Sequence, residues 1–483
     1  MQFLRSIIII LSIAAFALLS PETEAQFLNI GTCLRFRNRC GYGQIYVKLA
    51  DNSGCKTKCV RRVTLNSMLS DGWTCGKCPP RCFDSKTELQ DAVYMVIQDL
   101  TLAKAALADT YGWPIGKWCF TSSVKDMSNL FAEAVWFNEA LSDWDTSNVE
   151  NMNGMFYGAG AFNRDIGLWN VGRVTDMSYM FAYATSFDQD LSGWDTSNVE
   201  NMKEMFPGTG ALNIGSWNVG RVTDMSNMFA ESSFFNQDLS PWDTSKVVDM
   251  SFMFWFAPSF NADVSAWNVS RVTSMSSMFY GASSFEQNLS SWDTSNVENL
   301  NSMFSYASSF NADIGSWNVG RVTDMSLMFL SAILFQQDLS SWDTSQVENM
   351  NRMFSYASSF NADIGSWNVS HVKNMNFMFN SAVNFNQDLS IWDTSNVMSM
   401  SRMFQYAPSF NGDISSWDVS RVTNMYFMFN DATNFNQDLC EWGSQLRDQF
   451  VNLFSMFNGS GCPEQGDPDF LVNPPGPFCS ACN

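Results

Sequence analysis

The stretch Trp392-Asp-Thr-Ser-Asn-Val-Met-Ser-Met-Ser-Arg-Met-Phe-Gln-Tyr-Ala-Pro-Ser-Phe-Asn-Gly-Asp-Ile-Ser-Ser416 is one copy of a 25-residue unit. Its Trp returns every 25 residues, with one step shorter by two, at 144, 169, 194, 217, 242, 267, 292, 317, 342, 367, 392, 417 and 442. Counting Trp as position 0, apolar residues recur at +5, +8, +11, +12, +15, +18 and +22. Such a period predicts stacked units, here called coils, that bury their apolar edges on one another.

The coils alternate between two versions, so the duplicated unit is 50 residues long. One version begins Trp-Asp-Thr-Ser and the other Trp-Asn-Val-Gly or Trp-Asn-Val-Ser. The spacing from +5 to +15 predicts a helix or a 3₁₀ turn, and the Phe-Asn-x-Asp-Leu/Ile-Ser-x-Trp run predicts a turn before a short strand. We therefore predict an α/β solenoid, a leucine-rich-repeat-like array of about 13 coils and roughly 60 Å.

The pattern Val-x-x-Met-x-x-Met-Phe-x-x-Ala-x-x-Phe-Asn-x-Asp-Leu/Ile-Ser-x-Trp-Asp resembles the repeat of the BspA-like leucine-rich repeat surface proteins. The resemblance covers about 118–457, some two-thirds of the chain. These proteins occur in bacteria and unicellular eukaryotes, and the known members are surface adhesins or binding proteins. The resemblance therefore implies a surface protein with a role in adhesion or binding. Residues 84–117, which lead to Trp118, are similar to the lead-in of eukaryotic members.

The chain begins with the layout of a secretion signal. Arg5 precedes an apolar run from Ile7 to Leu19 that is too short to span a membrane, and no later stretch is long enough. The predicted organisation is a signal peptide at 1–25, a disulfide-rich basic module at 26–83, a helical N-terminal cap at 84–117, the repeat solenoid at 118–441, and a C-terminal cap with a Cys-containing tail at 442–483.

Twelve cysteines in an exported chain predict disulfides. They form two even groups on either side of the repeats: Cys33, Cys40, Cys55, Cys59, Cys75, Cys78, Cys82 and Cys119, then Cys440, Cys462, Cys479 and Cys482. A disulfide spans only about 6 Å between Cα atoms, whereas the predicted array of roughly 60 Å separates the two groups. We therefore expect no bridge between the groups. The alternative is zinc, because Cys75-Gly-Lys-Cys78 with Cys82 has the spacing of metal ligands.

Both ends of the array need a cap, because an end coil would otherwise expose its core. One covering helix is predicted at the N-terminal end by the spacing of Leu89, Val93, Val96, Ile97, Leu100 and Ala103. Past the last repeat, the apolar pattern continues at Trp442, Leu446, Phe450, Leu453, Phe454 and Phe457. We predict that this segment closes the array and that Cys440 and Cys462 staple it.

Composition argues against several classes of function. The net charge of −21 disfavours nucleic acid or anionic membrane as a partner of the whole chain, although 26–83 carries ten basic residues against two acidic ones. The single histidine, His371, takes a place that holds Arg in sibling coils, so a multi-His zinc site is excluded and a Ser/His/Asp triad is disfavoured. Departures from the repeat are scattered, and we predict no enzymatic activity.

One acidic column stands out at +21, where ten coils carry Asp and one carries Asn288: Asp165, Asp190, Asp238, Asp263, Asp313, Asp338, Asp363, Asp388, Asp413 and Asp438. Unit charges about 5 Å apart repel by roughly 3 kcal/mol per pair at an effective dielectric near 20, so the carboxylates need compensation. One route is hydrogen bonding to backbone N–H groups, helped by Asn at +19. The other is a row of Ca²⁺ ions. We favour hydrogen bonding over calcium. Apart from this calcium alternative, we predict no cofactor.

Four Asn-x-Ser sequons are candidates for glycosylation in an exported eukaryotic chain: Asn268, Asn288, Asn368 and Asn458. Asn268 and Asn368 sit next to a core Trp, so we favour Asn458, which lies in a Gly-rich loop. Extra aromatic residues outside the apolar columns include Trp136, Trp255 and Phe256. They are scattered along the sequence, and from the sequence alone we predict no site from them.

The sequence thus favours a secreted or cell-surface, non-catalytic repeat protein that binds an extracellular protein or glycan. One alternative is a structural component of a wall or matrix that associates with itself. A second alternative is an enzyme that cleaves a polysaccharide with paired Asp residues. It would need a group of non-repeat carboxylates on one face, and none is evident in the sequence.

Overall fold

The computed structural model describes residues 44–51, 54–61, 80–98, 101–210, 212–446, 450–471 and 475–482. The chain divides into two compact units, 1–81 and 82–483. In the first unit, β1 (Gln44–Asp51) and β2 (Gly54–Arg61) pair as an antiparallel hairpin. The predicted signal peptide lies outside the described residues. Cys82 and Phe83, which we assigned to the basic module, fall in the second unit.

The second unit begins with a helical cap. Helix α1 (Lys86–Ile97) starts after Ser85, whose Oγ accepts the backbone N–H of Glu88. Helix α2 (Thr101–Tyr111) follows and contacts α1, and a 3₁₀ turn (Ile115–Lys117) leads into the first coil. The structure has two helices here in place of the one predicted, and Tyr111 at the end of α2 donates a hydrogen bond to Glu88 in the first turn of α1.

A disulfide and three aromatic rings join this cap to the first coil. Cys82 is bonded to Cys119, and the next residue on each side, Phe83 and Phe120, form a parallel backbone bridge. The ring of Phe83 is fully buried and stacks on Tyr111, with 3.9 Å between the ring centroids, and it lies 5.0 Å from the ring of Trp118. The segment therefore covers an apolar edge that the first coil would otherwise expose.

Successive coils are joined by parallel backbone pairing. One residue per coil forms a bridge to the corresponding residue of the next coil, in an unbroken series from Asp126 to Asn452. Between Trp118 and Leu439, the described residues contain neither a helix nor an extended strand. The prediction of a helix and a strand in each coil, and with it the α/β class, was wrong.

Tight turns replace the predicted helix and strand. Within the coil that begins at Trp242, the N–H groups of Met253, Ala257 and Phe260 each donate to the carbonyl three residues earlier. In the same run, alternate N–H groups donate to carbonyls of the next coil, from Met250 to Ser274, Phe252 to Ser276, Phe254 to Met278 and Phe256 to Tyr280. The 3₁₀-like spacing of the sequence is therefore satisfied by a chain of turns whose remaining donors reach across to the neighbouring coil.

This geometry needs two left-handed residues per coil, at +10 and +14. In the coil that begins at Trp342, φ is +56° at Arg352 and +58° at Tyr356. A left-handed backbone costs a non-glycine residue roughly 1–2 kcal/mol, which the hydrogen bonds between coils must offset. Glycine takes these places in only a few coils, such as Gly154 and Gly281, so residue type carries almost no signal for them.

The predicted apolar columns form the core. All seven columns are buried in the coil that begins at Trp342, and rings at equivalent positions of successive coils lie nearly parallel. Ring centroids are 6.1 Å apart for Trp342 and Trp367, and 5.7 Å apart for Phe354 and Phe379. The Nε1 of Trp367 donates to the carbonyl of Leu339 at 3.0 Å, so its indole is buried without a lost hydrogen bond. The assignment of the Trp, Met and Phe columns to the core is confirmed.

The alternation of Asp and Asn after Trp has an electrostatic reason. At +1 both residue types accept the N–H two residues ahead, as Asp343 does from Ser345 at 3.0 Å and Asn368 from Ser370 at 3.1 Å. The turn therefore needs the side-chain oxygen and does not need the charge. Placing Asn in alternate coils roughly doubles the distance between like charges and halves their repulsion.

A short helix and the C-terminal tail close the array. Helix α3 (Cys440–Leu446) follows the last repeat, and disulfides join Cys440 to Cys482 and Cys462 to Cys479. The predicted cap residues Trp442, Leu446, Leu453 and Phe457 are buried. Phe450 and Phe454 are exposed, so their assignment to the cap core was wrong. Past α3 the step between paired residues lengthens from 25 to 28, from Asn424 to Asn452, and the tail ring of Phe478 is also buried in this region.

Candidate functional site

The carboxylates of the +21 column accept backbone hydrogen bonds in tight turns. The Oδ1 of Asp338 accepts the N–H of Ser340 at 2.9 Å, and Asn288 accepts from Ser290 at the same distance. Corresponding bonds are present for Asp165, Asp190, Asp238, Asp263, Asp313, Asp363, Asp388, Asp413 and Asp438. Asn residues at +19 form a second ladder, in which Asn361 Oδ1 accepts the N–H of Asn386 in the next coil at 2.9 Å.

These hydrogen bonds lower the pKa of five carboxyl groups of the column and so favour their ionised form: Asp190, Asp238, Asp263, Asp338 and Asp388. The pKa of Asp338 and the pKa of Asp388 are lowered, chiefly by the backbone N–H groups of Ser340 and Ser390. The pKa of Asp238 is lowered chiefly by the side chain of Ser240, and then by its backbone N–H. The column is thus stabilised locally, turn by turn.

We predict that acid weakens the array through the five aspartates of this column whose pKa is lowered. A carboxyl group whose pKa is lower in the folded state adds stability above its unfolded pKa and loses it as pH falls through the folded value. The melting temperature should therefore be flat from pH 7 to about 5 and should fall below about pH 4. The triple variant Asp238→Asn/Asp338→Asn/Asp388→Asn, which copies the natural Asn288, should melt normally at pH 7 and show a shallower acid slope. An unchanged slope would contradict this account.

We predict that calcium adds little stability. Each carboxylate of the column already has a backbone partner, and among the described residues no group of three or more His, Cys, Asp or Glu side chains is placed to hold a metal ion. Ca²⁺ usually takes six to eight oxygen ligands. EDTA should shift the melting temperature by no more than a few degrees. A large fall that Ca²⁺ reverses, and NaCl of equal ionic strength does not, would establish the calcium ladder instead.

The cysteines whose side chains are described are bridged within the two predicted groups. Cys82 is bonded to Cys119, so it is not available as the third zinc ligand in the alternative of the sequence analysis. Both C-terminal bridges join residues of the second group. The side chains of Cys33, Cys40, Cys55, Cys59, Cys75 and Cys78 lie outside what the structure describes.

All four sequon asparagines are exposed: Asn268, Asn288, Asn368 and Asn458. The expectation that Asn268 and Asn368 lie too close to the core was wrong, because the neighbouring Trp points inward while the Asn faces solvent and accepts a turn N–H. His371 is exposed, as predicted for a variant of a surface Arg position.

The outward-facing aromatic residues form a stripe at +14. Five coils place an aromatic ring there. Tyr183 is 43% exposed, and alternate coils from Trp242 to Trp392 carry Phe256 at 44%, Tyr306 at 45%, Tyr356 at 54% and Tyr406 at 49%. The intervening coils carry Gly281, Ser331 and Ser381 at the same position. Rings two coils apart are separated by about 10 Å. The 50-residue duplication is therefore visible on the surface as alternating aromatic and small residues.

Rings of three consecutive coils meet at one end of this stripe. Trp255 contacts Phe256 edge-on with 4.4 Å between ring centroids, and Phe256 lies 5.1 Å from Tyr280. Tyr280 in turn lies 5.3 Å from Tyr306. The structure thus brings Trp255 and Phe256, which the sequence analysis treated as scattered, into one patch. Trp136 is highly exposed and has no part in these ring contacts.

A second outward column lies at +10, and in the four coils that begin at Trp342 to Trp417 it alternates Arg with aromatic rings. The guanidinium of Arg352 lies over the ring of Phe377 at 4.5 Å, and that of Arg402 lies 5.3 Å from the same ring. Arg402 is also 5.4 Å from Phe427 and 5.2 Å from Tyr426. A shallow recess of about 370 Å³ opens beside Arg352, lined by Ser326, Leu327, Asn349, Asn351, Arg352 and Phe377.

Both columns lie on one segment of each coil, from +6 to +17, which we call the aromatic face. Sequence reasoning missed it because the +10 and +14 side chains project from left-handed residues between buried Met and Phe columns. Residue spacing predicts which columns are buried, but it says nothing about a left-handed turn. The one available signal was the return of Tyr every 50 residues at 306, 356 and 406.

Fold and surface together define a tandem-repeat protein with a ladder of aromatic rings in its core and an exposed aromatic face. The chain belongs to the family DUF285, described as "Mycoplasma protein of unknown function", which matches it in four overlapping segments: 103–214, 209–306, 286–390 and 360–465. No curated protein and no solved structure matches the chain. Among the described residues, no helix has the length and apolar character needed to cross a membrane.

Proposed function

We propose that this protein is a non-catalytic binding protein of the cell exterior, secreted or held at the cell surface, which recognises an extracellular glycan or protein. The observation that carries the proposal is the aromatic face. Its stripe of half-exposed rings, Phe256, Tyr306, Tyr356 and Tyr406, stands on backbone that is hydrogen-bonded between coils, and these rings remain 44–54% exposed in the folded array. Exposed apolar rings arranged in a contiguous pattern are typical of interaction surfaces.

The setting of this face supports the same proposal. We take the array to be a solenoid of the BspA-like leucine-rich repeat type, whose long faces suit extended ligands. The disulfides at both ends fit an oxidising compartment, as does the signal-like start of the sequence. Titratable groups with shifted pKa values lie mainly in the repeating turns, such as Asp338, or near the surface rings, such as Tyr280. Such regular placement suits a scaffold better than a catalytic centre.

The test is binding of the full-length chain to an array of glycans and extracellular proteins, with variants that alter the stripe. The triple variant Tyr306→Ser/Tyr356→Ser/Tyr406→Ser copies the residue that Ser331 and Ser381 already place in the same left-handed conformation, so it should fold normally. We expect it to lose most binding. A matched control, Leu168→Ser/Ile391→Ser, removes exposed apolar side chains outside the aromatic face and should bind normally.

Two outcomes would contradict the proposal. If both variants bind as the unmodified protein does, the aromatic face is not the binding surface. If the chain binds nothing but itself, and light scattering shows concentration-dependent assembly that the triple Ser variant abolishes, the protein is a self-associating structural component.

A further inference from the structure

The C-terminal part of the aromatic face contains a two-coil unit that occurs twice. The first unit places Arg352 and Tyr356 on one coil and Phe377 on the next. The second repeats it with Arg402, Tyr406 and Phe427. The repeat distance is about 10 Å, two coil spacings. Each unit thus offers one guanidinium and two rings in a fixed arrangement.

The charge of the aromatic face changes in this part of the array. The eight coils that begin at Trp144 to Trp317 carry nine acidic residues and one basic residue between +6 and +17. The four coils that begin at Trp342 to Trp417 carry three basic residues, Arg352, Lys373 and Arg402, and two acidic ones, Glu348 and Asp431. The +7 column shows the change directly, since Asp324 is followed only by neutral residues: Asn349, Asn374, Ser399 and Asn424.

The two arginines are the cations that remain available on this surface. Lys373 and Glu348 neutralise each other through an ion pair of 2.5 Å. Neither Arg352 nor Arg402 forms an ion pair within the described part of the chain, and both are held against aromatic rings. A guanidinium that lies over a ring keeps its edge N–H groups free to bind an anion. An array of net charge −21 thus presents a local site for negative charge.

From this geometry we infer that the aromatic face from Arg352 to Phe427 binds a linear acidic polysaccharide with one anionic group per disaccharide. The inference rests on the proposed function and names its ligand class. The two-coil repeat matches the length of a disaccharide, so successive carboxylates or sulfates meet Arg352 and Arg402. The apolar faces of the sugar rings pack on the rings of Tyr356, Phe377, Tyr406 and Phe427. Polymers with denser charge would place anions beside rings that carry no cation.

The experiment measures affinity of the full-length chain for hyaluronan oligosaccharides, which carry one carboxylate per disaccharide. Neutral chitin oligosaccharides of equal length and heparin, which carries several charges per disaccharide, serve as comparisons. Arg352→Gln/Arg402→Gln should weaken hyaluronan binding by about tenfold or more, with a reduced salt dependence. The matched control Arg271→Gln/Arg421→Gln removes the same charge from the exposed +4 column and should change affinity less than about twofold. Affinity should also rise once the oligosaccharide is long enough to reach both units.

Four results would overturn the inference. Equal losses in both double variants would mean that only overall charge matters. Equal or tighter binding of the neutral oligosaccharide would mean that the arginines do not select the ligand, and heparin binding far above hyaluronan binding would contradict the charge spacing. Binding of a protein or neutral glycan alone, still lost in Tyr306→Ser/Tyr356→Ser/Tyr406→Ser, would overturn this inference while leaving the proposed function intact.

Discussion

Replacing Trp317 by Ala should destabilise the middle of the array by about 3–5 kcal/mol. Trp317 is 3% exposed, stacks on Trp292 with 6.2 Å between ring centroids, and lies 6.1 Å from Phe304. Its Nε1 donates to the carbonyl of Leu289 at 3.0 Å, and that buried carbonyl would lose its indole donor. The change therefore removes a large buried ring and leaves a polar group without this partner.

The damage from Trp317→Ala should stay local, because each coil contacts only its neighbours and stability adds along the array. Thermal unfolding should split into two transitions, and hydrogen exchange should speed up in the coils around Trp317 before those near Trp144. Trp136→Ala makes the same chemical change at a highly exposed site and should leave the melt unchanged. A single unaltered transition in Trp317→Ala would mean that the Trp column does not carry the core.

Removing the disulfide at the N-terminal cap should have the next largest effect. It should destabilise the cap by about 4 kcal/mol, the value expected for a closed loop of this length. Cys82 and Cys119 are 37 residues apart and enclose both cap helices. The variant Cys82→Ala/Cys119→Ala frees that loop without leaving an unpaired thiol. The cap should then open at lower temperature, since it relies on noncovalent contacts with the first coil, among them the backbone bridge between Phe83 and Phe120 and the ion pair of Lys86 with Asp126.

Hydrogen exchange resolved along the chain is the measurement for this variant. Amides of α1 and α2 should lose protection, while amides of the coils near Trp317 should keep theirs. As a comparison, Cys462→Ala/Cys479→Ala opens a loop of only 17 residues and should cost less, about 3 kcal/mol. Equal effects of the two pairs, or loss of protection throughout the array, would show that loop length and local stacking do not govern stability here.

Much of the architecture could be predicted because burial repeats with the sequence. Trp, Met and Phe recur at fixed steps, and each of these columns is buried, as Trp317 and Phe354 illustrate. The hydrogen-bonded role of the +21 carboxylates followed from the repulsion that unpaired like charges would suffer. The pairing of the described cysteines within the two end groups followed from the short reach of a disulfide.

Local conformation could not be predicted in the same way. The same apolar spacing is compatible with a helix, a 3₁₀ turn or a chain of tight turns, because each of them returns a side chain to the core every three or four residues. What selects the turns is the set of N–H groups that bond to the next coil, such as Phe252 to Ser276. Those partners are 24 residues apart in sequence, so no local pattern of residues encodes them.

By itself, the sequence determined the repeat, its core columns, the alternation of Asp and Asn, and the need for caps, because these depend on burial and charge at a fixed period. Only the tertiary structure decided the left-handed residues at +10 and +14, and with them the aromatic face. Arg352 and Phe377 are 25 residues apart, yet their side chains meet at 4.5 Å because the coils stack in register. Contacts between coils place side chains on the surface, and those contacts exist only once the array has formed.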